Sequence, residues 1–256
     1  MVDGNTATGS GGNPGNGGNA GGIYHDGAKI DLALCGVKIT NNHGNAYGGG
    51  VFFVSNTGEG TLSITNSEIA NNDIPVASGK PSHGGAGYIQ GFDVTIANAT
   101  IAANAAGYAS GLYINSMNGR GSLNATNLTV TGMTGDGLTL QGGVHGTLLD
   151  ATIAGNAKAG ISGAAPMTLA NTIVAGNSPD CDAMPASGGG NLGCGGLAAD
   201  PQLGPLQDNG GTTGVRTLAP GATSPAAGAG TATCPSTDAR GMPRPMTGCT
   251  SGAHQL

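Results

Sequence analysis

The sequence of 256 residues contains few aromatic side chains. It has no Trp, three Phe and five Tyr, so a core built on large aromatic rings is not expected. Charged residues make up 9% of the chain, and the eight Lys and Arg residues are not clustered. A nucleic-acid interface needs a basic stripe, and a membrane helix needs an apolar run of roughly 20 residues. Because the sequence has neither, we predict no nucleic-acid partner and no membrane span.

Glycine, in contrast, is in excess. The chain has 52 Gly residues, about 20% of the sequence against a usual share of about 7%. Gly does not recur at every third position, which excludes a collagen helix. The formal net charge is only −6, whereas disordered chains of low hydrophobicity carry a high net charge. The composition therefore indicates a folded, β-rich chain that is punctuated by glycine.

Four of the five cysteines flank two short loops. Cys181 and Cys194 enclose one loop, and Cys234 and Cys249 enclose the other. A disulfide is most useful for a short loop with little other means of ordering itself, in an oxidising compartment. We predict these two local disulfides, although four cysteines allow three connectivities.

Cys35 is the cysteine without a nearby partner. It belongs to the apolar run Leu32–Cys35, so we predict that it is a small buried side chain. The sequence has no zinc-type cysteine cluster, and we predict no cofactor. The chain begins without the basic and apolar regions of a signal peptide. Because the paired cysteines favour an oxidising compartment, we interpret the sequence as the mature part of an exported protein.

A strand-like pattern recurs along the first two-thirds of the chain. Its aligned β-branched residues, which lie 21 to 32 positions apart, are Ile39, Ile69, Ile101, Val130, Ile153 and Val174. A second pattern alternates with the first and consists of a small-residue turn and a short apolar strand, as in Gly50-Val51-Phe52 and Gly87-Tyr88-Ile89. Apolar residues alternate at period 2, as in half-buried strands. The repeat predicts a β-solenoid, in which each coil buries its apolar edge against its neighbours.

Asparagine recurs in step with this pattern, in two columns. The first column contains Asn66, Asn98, Asn127, Asp150 and Asn171, and the second contains Asn42, Asn72, Asn104, Asn156 and Asn177. Asn tolerates the left-handed backbone conformation of a corner, and its side chain forms hydrogen-bonded ladders between stacked strands. We predict a structural role for both columns.

The chain divides into three predicted segments. Residues 1–19 form a flexible Gly/Asn-rich segment, and residues 20–177 form a parallel β-helix of about six coils. Residues 178–256 lack the repeat and contain nine of the 13 prolines. Because a solenoid needs a cap over its open strand edge, we predict that 178–256 is an irregular, disulfide-containing extended cap. We expect it to run along the rod and to cover its C-terminal end.

The motifs resemble a known family. Turns such as GGIY and GGGVF, followed by LxIxN-x-x-I-x-x-N strands, resemble the right-handed parallel β-helix repeats of bacterial polymorphic outer-membrane-type surface proteins. The tail resembles the end of the choice-of-anchor Q domain, at 200–211 (DPQLGPLQDNGG) and 237–245 (TDARGMPRP). The resemblance implies an all-β, right-handed β-helix in an exported bacterial protein that is often held at the cell surface. It implies no particular activity.

Tyrosines are the first candidates for ligand binding. Tyr47, Tyr88, Tyr108 and Tyr113 lie near the turns of the predicted coils. An exposed Tyr on a rigid β-surface stacks on sugars or contacts another protein, whereas the alternative role is to close the sides of the core. We predict these four as ligand-binding residues, with a glycan or another surface protein as the partner.

Threonines and histidines are further candidates. Thr100, Thr129 and Thr152 occupy equivalent positions in three successive coils, and such an array on a flat solenoid face can bind a ligand or order water, as ice-binding proteins do. An ordinary polar surface of the solenoid, with no binding role, explains the array equally well. His25, His43 and His83 are weak candidates for a metal site if the turns of the first coils converge. Their spacing does not require this, and we predict no metal.

Catalysis is the alternative function. Many right-handed β-helices are polysaccharide lyases, hydrolases or epimerases. Lyases need a base and a cation that neutralises the uronate, and hydrolases need two or three carboxylates that face one sugar. The Lys and Arg residues of the repeat share no column and its carboxylates form no adjacent pair, so we assign no catalytic residue. We predict a secreted or cell-surface, non-enzymatic module for adhesion, scaffolding or glycan binding, with a polysaccharide hydrolase or lyase as the alternative.

Overall fold

The computed structural model describes residues 1–11, 16–75, 82–91 and 93–256. Its regular structure is almost entirely β, with one short 3-10 helix at Met117–Gly119. The strands in chain order are β1 (Val2–Asp3), β2 (Ile23–Gly27), β3 (Leu32–Cys35), β4 (Lys38–Thr40), β5 (Val51–Ser55), β6 (Thr61–Ala70), β7 (Gly87–Gln90), β8 (Asp93–Ala102), β9 (Leu112–Asn115), β10 (Ser122–Thr131), β11 (Leu138–Gln141), β12 (His145–Leu149), β13 (Thr152–Ala154), β14 (Ile161–Ser162), β15 (Met167–Ala170), β16 (Ile173–Ala175), β17 (Ala186–Gly189), β18 (Leu203–Gln207) and β19 (Thr217–Pro220).

Two long parallel sheets make up a β-solenoid. The larger sheet has 11 strands, and the smaller has six in the order β14-β11-β9-β7-β5-β2. Equivalent strands of successive coils pair in register, and the partners in the larger sheet include Ile39, Ile69, Ile101, Val130, Ile153 and Val174. This is the alignment that the sequence repeat predicts. The all-β solenoid class is therefore confirmed.

The interior contains mainly aliphatic side chains. Inward-facing Ile, Leu and Val residues of every coil form one continuous buried cluster, to which Phe53 contributes a large ring. Strands bring these residues inside because successive side chains point to opposite faces. Stacking the coils in register then places each aliphatic side chain on an aliphatic side chain of the next coil. A modest fraction of apolar residues is therefore enough to fill a narrow interior.

Asparagine ladders stabilise the corners between strands. The Asn42 amide donates to Asn72 Oδ1 at 2.8 Å, and the Asn72 amide donates to Asn104 Oδ1 at 3.0 Å. These three side chains are fully buried. The other column lies at a bend within the long strands, where Asn66, with φ of 47°, has the left-handed conformation that Asn tolerates. Both columns are structural, as predicted.

Both predicted disulfides are present, in the C-terminal region. Cys181 pairs with Cys194 and Cys234 pairs with Cys249, with Cα atoms 5.6 and 6.1 Å apart. Disulfides persist in oxidising compartments, so they indicate a protein that is not cytoplasmic. In the part of the chain that the structure describes, no helix is long and apolar enough to cross a membrane.

The prediction that Cys35 is buried is wrong. Cys35 is exposed and has a free thiol. It is the last residue of β3, in which Leu34 points into the core with only 6% of its surface exposed. Adjacent residues of a strand face opposite sides, so Cys35 points outward although its sequence neighbours are apolar.

The N-terminal residues belong to the solenoid. For residues 1–19 we predict a flexible segment, of which 12–15 lie outside the described residues. In the structure β1 pairs in parallel with β4. The amide of Asn5 donates to Asn42 Oδ1 at 2.8 Å, which extends the buried asparagine ladder by one position. Residues 2–5 therefore belong to an additional coil that stacks on the N-terminal side of the first repeat.

The C-terminal segment covers the side of the solenoid. The parallel stack continues past residue 177, because β17 pairs with β15 and Leu192 pairs with Ile173. The segment then forms the antiparallel hairpin β18–β19. Its strand β17 is the last of the larger sheet, and residues 186–188 are exposed. Residues near its start make polar contacts with the last repeat, as when the Ser162 hydroxyl donates to Asp182 Oδ2 at 3.1 Å, and later residues such as Arg216 and Arg244 contact the lateral face.

Candidate binding surface

All five tyrosines of the chain lie in one patch on the outer face of the smaller sheet and its adjoining turns. We call this patch the aromatic strip, and its rings belong to Tyr24, Tyr47, Phe52, His83, Tyr88, Tyr108 and Tyr113. In a chain with 3% aromatic residues, this concentration on one surface is the main chemical feature outside the core.

Strand register creates the central column of the strip. Tyr24, Phe52, Tyr88 and Tyr113 are register partners on four successive strands. Their ring centroids are 5.1, 5.5 and 5.1 Å apart, and the ring planes differ by 5°, 9° and 12°. The next position along each strand points inward, as fully buried Phe53 shows. The rings are therefore fixed on the outer face by the same alternation that builds the core.

A second group of rings comes from the adjoining turns. His83 lies 4.9 Å from Tyr108 and 5.0 Å from Tyr113, and Tyr47 lies 4.9 Å from Tyr88, measured between ring centroids. These pairs are tilted or edge-on, an arrangement that aromatic quadrupoles favour. The turn rings widen the strip from a single column to a surface two rings across.

Exposure of the rings differs along the strip. Tyr24 and Tyr108, at its borders, are 56% and 46% exposed. Tyr47, His83, Tyr88 and Tyr113 are half-buried. Phe52 is 6% exposed, in a small cluster against which Tyr47 and Tyr88 pack. The strip is therefore half-buried along its length and most exposed at its two border rings, Tyr24 and Tyr108.

Polar side chains run beside the rings, two residues further along each strand. This flanking column contains Asp26, Gln90, Asn115 and Gln141, is interrupted by the apolar, buried Val54 on β5, and continues past the last ring at Gln141. The Tyr24 hydroxyl donates to Asp26 Oδ2 at 2.9 Å, and the Tyr88 hydroxyl donates to Gln90 Oε1 at 2.8 Å. Each of these hydroxyls keeps its lone pairs as acceptors for a ligand, while the Gln90 amide keeps its donors.

The strip is uncharged at neutral pH. Burial, together with the neighbouring Tyr113 and Tyr47 hydroxyls, raises the pKa of Tyr88 to about 12. Burial also raises the pKa of Tyr113 and lowers that of His83 below its usual value. Tyr88 and Tyr113 are therefore neutral phenols, and His83 is a neutral imidazole. Such rings bind through their apolar edges and hydrogen bonds rather than through net charge.

Small polar residues follow the last ring. The position after Tyr113 in the column is Thr139, and the next is Ser162. The Thr139 hydroxyl donates to Asp136 Oδ2 at 3.2 Å, and the Ser162 hydroxyl donates to Asp182 Oδ2 at 3.1 Å. The aromatic surface therefore covers only the first four strands of the six-stranded sheet.

The predicted threonine face does not lie on the surface. Thr100, Thr129 and Thr152 are at most 1% exposed, because the C-terminal segment covers them. The Thr100 hydroxyl donates to the Arg216 carbonyl at 2.5 Å, and the Ala253 amide donates to Thr152 Oγ1 at 2.9 Å. The column is in register, as predicted, but the C-terminal segment leaves it no room to order water or bind a ligand.

The three candidate histidines do not converge. His25 stacks on Phe53, on the core side of the smaller sheet, with ring centroids 5.5 Å apart. His43 contacts the Asp73 carboxylate, and His83 belongs to the aromatic strip. Across residues 1–11, 16–75, 82–91 and 93–256, no group of three or more His, Cys, Asp or Glu residues could hold a metal ion.

Carboxylate groups of the solenoid serve structural contacts. Asp150 is fully buried, and its Oδ1 lies 3.4 Å from Arg244 Nη1 of the C-terminal segment. Asp93 accepts a hydrogen bond from the Ser122 hydroxyl at 2.8 Å on the next coil. A buried, paired carboxylate cannot reach a sugar, so Asp150 is not available as a glycosidase acid or base.

Among the described residues, two grooves lie between the solenoid and the C-terminal segment. The larger, of about 550 Å³, lies beside the last coil, and the smaller, of about 310 Å³, lies beside the β18–β19 hairpin. Small residues line most of both grooves. Asp180 and Asp200 are the charged residues in the lining of the larger groove, and each accepts a backbone hydrogen bond from its own turn. Neither groove contains a residue of the aromatic strip.

Comparison with known proteins gives no match: no family model, no curated protein and no solved structure is significantly similar to the chain.

Sequence reasoning identified four of the rings but missed Tyr24, Phe52 and the aromatic contacts of His83. The signal was present in the second repeat. Gly87-Tyr88-Ile89 aligns with Gly50-Val51-Phe52 through the glycines, but the structure pairs Gly87 with Val51 and Tyr88 with Phe52. Shifting the segment that begins at Gly87 by one residue against the segment that begins at Gly50 aligns Tyr88 with Phe52 and produces the column of aromatic residues.

Proposed function

We propose that this protein is a non-enzymatic, exported β-solenoid that binds a glycan through its aromatic strip. The observation that carries the proposal is the collection of all five tyrosines on one rigid, uncharged surface. Tyr is enriched where proteins bind sugars and other proteins because it combines an apolar ring with a hydroxyl. The flanking amides supply the hydrogen-bond donors and acceptors that sugar hydroxyls require.

Export and surface display fit the same proposal. The two disulfides favour an oxidising compartment. The resemblance of the coil turns and of the segments 200–211 and 237–245 to surface-displayed choice-of-anchor Q proteins supports a place on the bacterial cell surface. In that setting a rigid rod with a lateral binding surface serves adhesion or scaffolding.

Rigidity of the site supports binding rather than turnover. The central rings stand on hydrogen-bonded strands and stack on one another, so little conformational freedom is lost when a ligand is bound. Asp150, a carboxylate in the middle of the repeat, is buried beneath the C-terminal segment and is not available to a substrate. The strip itself contains neither a carboxylate nor a charged base.

The test is binding to a panel of polysaccharides with paired variants. The double variant Tyr24→Ala/Tyr108→Ala removes the two most exposed rings, and we expect it to weaken binding at least about tenfold. Met246→Ala removes an 85% exposed apolar side chain elsewhere and is the control. Circular dichroism verifies that each variant is folded.

Two results would overturn this proposal. One is binding that the double variant leaves unchanged, which would move the site away from the strip. The other is release of reducing or unsaturated sugar products, which would show that the chain is a polysaccharide hydrolase or lyase. Binding of a purified surface protein instead of any glycan would keep the surface but change the ligand class.

A further inference from the structure

The aromatic strip repeats along the solenoid axis with the spacing of the coils. Tyr24, Phe52, Tyr88 and Tyr113 follow one another at 5.1, 5.5 and 5.1 Å, and Tyr47 lies 4.9 Å from Tyr88. Neighbouring strands of a sheet are about 4.8 Å apart, so the fold itself sets this spacing. A ligand that lies along the axis therefore meets Tyr24, Tyr88 and Tyr113 on their own strands, whereas at the level of β5 it meets the half-buried Tyr47, because Phe52 is 6% exposed and Tyr47 packs against its cluster.

Hydrogen-bonding groups repeat with the same spacing. Gln90, Asn115 and Gln141 are register partners on three successive strands, and they lie two residues beyond the ring column. Each of these amides has both donors and acceptors. On the strands that carry Tyr88 and Tyr113, a ligand unit meets a ring edge on one side and an amide on the other. A surface of this kind fits a linear polymer with a short, straight repeat.

Charge on the strip and its border disfavours an acidic polymer. Neither the seven rings nor the flanking column contains a Lys or an Arg. The charged group of the flanking column is the carboxylate of Asp26, which is exposed, and Asp73 lies beside His43 near the turn rings. A uronic-acid polymer would approach these carboxylates without a cation to neutralise it.

On the basis of the proposed function, we infer that the ligand is an uncharged, extended β-1,4-linked polysaccharide that lies along the solenoid axis with one sugar per coil. The length of one pyranose in an extended β-1,4-linked chain is close to the rise of one coil. Its flat faces carry C–H groups that pack on ring edges, and its equatorial hydroxyls point sideways toward the amide column. A helical α-1,4-linked chain does not keep a straight repeat and leaves this register after a few sugars.

Length dependence is the direct consequence. The ring column spans the four strands from Tyr24 to Tyr113, so it accommodates about four sugars at one sugar per coil. Each added sugar gains one ring contact, which half-buried Tyr47 makes at the level of β5 in place of buried Phe52, and we expect affinity to rise about threefold to tenfold per sugar up to four. Beyond four sugars the affinity levels off, because Thr139 replaces the ring on the next strand.

Isothermal titration with β-1,4-linked gluco-oligosaccharides of two to six units tests this inference. The α-1,4-linked series is the control for linkage. Cellulose and its carboxylated form, in a pull-down, are the control for charge. We expect binding to rise with length and then level off, to be weaker for the α-linked series, and to be lost on carboxylation. Equal affinity for the disaccharide and the hexasaccharide, or preference for the carboxylated polymer, would overturn the inference.

The variant Tyr24→Ala provides a second readout. Among the described residues Tyr24 stacks on Phe52 alone, and it is 56% exposed, so we expect its removal to leave the fold intact. We expect affinity to level off one sugar earlier in this variant, at three sugars, whereas Met246→Ala levels off at four. An unchanged length dependence in Tyr24→Ala would contradict axial binding. The proposed function and this inference fail separately, because a glycan that binds the strip without length dependence refutes only the inference.

Discussion

Two buried groups beneath the C-terminal segment have opposite effects on stability as pH changes. Burial raises the pKa of Asp150 from its ordinary 3.8 to about 6, although Arg244 and Asn171 oppose the shift. Burial and the nearby Arg240 lower the pKa of His254 from 6.5 to about 4. Both side chains are buried, at 0% and 6% exposure, so solvent does not screen these effects.

The sign of each effect follows from proton counting. Between pH 3.8 and about 6 the folded state holds the Asp150 proton and the unfolded state does not, so stability falls as pH rises. Between pH 4 and 6.5 the unfolded state holds a proton on His254 that the folded state lacks, so stability rises with pH. Each effect amounts to about 3 kcal/mol. Over pH 4 to 6 they cancel, and the wild-type contribution from this pair is flat.

Single substitutions separate the two effects. In Asp150→Asn, the pH dependence that His254 contributes is no longer cancelled by Asp150. We expect the free energy of unfolding of this variant to rise by about 3 kcal/mol from pH 4 to 6.5, relative to wild type. In His254→Asn, the pH dependence that Asp150 contributes is no longer cancelled by His254. We expect the free energy of unfolding of this variant to fall by about 3 kcal/mol from pH 4 to 6, relative to wild type.

Urea unfolding at half-unit pH intervals gives these curves. The slope is compared within each variant, so a uniform loss of stability, such as the loss of the Asp150–Arg244 pair, does not affect the result. Curves for both variants that run parallel to wild type would refute the assigned burial of Asp150 and His254, and with it the docking of the C-terminal segment.

Three further predictions concern the solenoid itself. Asn72→Ala leaves buried partners of the asparagine ladder unsatisfied and should lower the free energy of unfolding by about 3 kcal/mol or more. The control Asn16→Ala, at an exposed position, should change it by less than about 0.5 kcal/mol. Equal effects of the two substitutions in denaturant unfolding would contradict a stabilising role for the ladder. A spectrophotometric titration should show a tyrosine that ionises near pH 12, namely Tyr88, and stability should fall from pH 10 to 12 because only the folded state keeps this proton; a single transition near pH 10 and a flat stability curve would contradict the stacking of Tyr88. A maleimide should label the folded, non-reduced protein once, at exposed Cys35, and peptide mass spectrometry should show the 181–194 and 234–249 links; additional labelled cysteines would contradict the two disulfides.

Sequence reasoning recovered the features that depend on local periodicity. Alternation at period 2 and the 21-to-32-residue repeat were sufficient to align Ile39, Ile69 and Ile101, which are register partners in the structure. The asparagine columns followed from the same alignment. Both disulfides joined cysteines 13 and 15 positions apart, so each pair could be predicted from sequence neighbourhood alone.

Features that depend on distant, non-repeating chain segments were not predictable. The threonine column was correctly aligned, but its burial is due to Arg216 and Ala253, more than 100 residues further along the chain. No periodicity connects that segment to the coils. The prediction that Cys35 is buried failed for a local reason. The alternation of side chains along the strand decides which way Cys35 points, and the apolar character of its neighbours does not. The aromatic column was misaligned by one residue at Gly87, which takes the place of the β-branched Val51.

Tyrosine fluorescence offers the most direct test of the aromatic strip as the ligand-binding surface. The chain has no Trp, and all five tyrosines lie in the strip, so intrinsic emission reports this surface alone. Titration with a soluble β-1,4-linked glucan should change the emission in a saturable manner, with the same dissociation constant that calorimetry yields. Calorimetric binding that leaves the emission unchanged would place the ligand elsewhere on the solenoid and contradict the account.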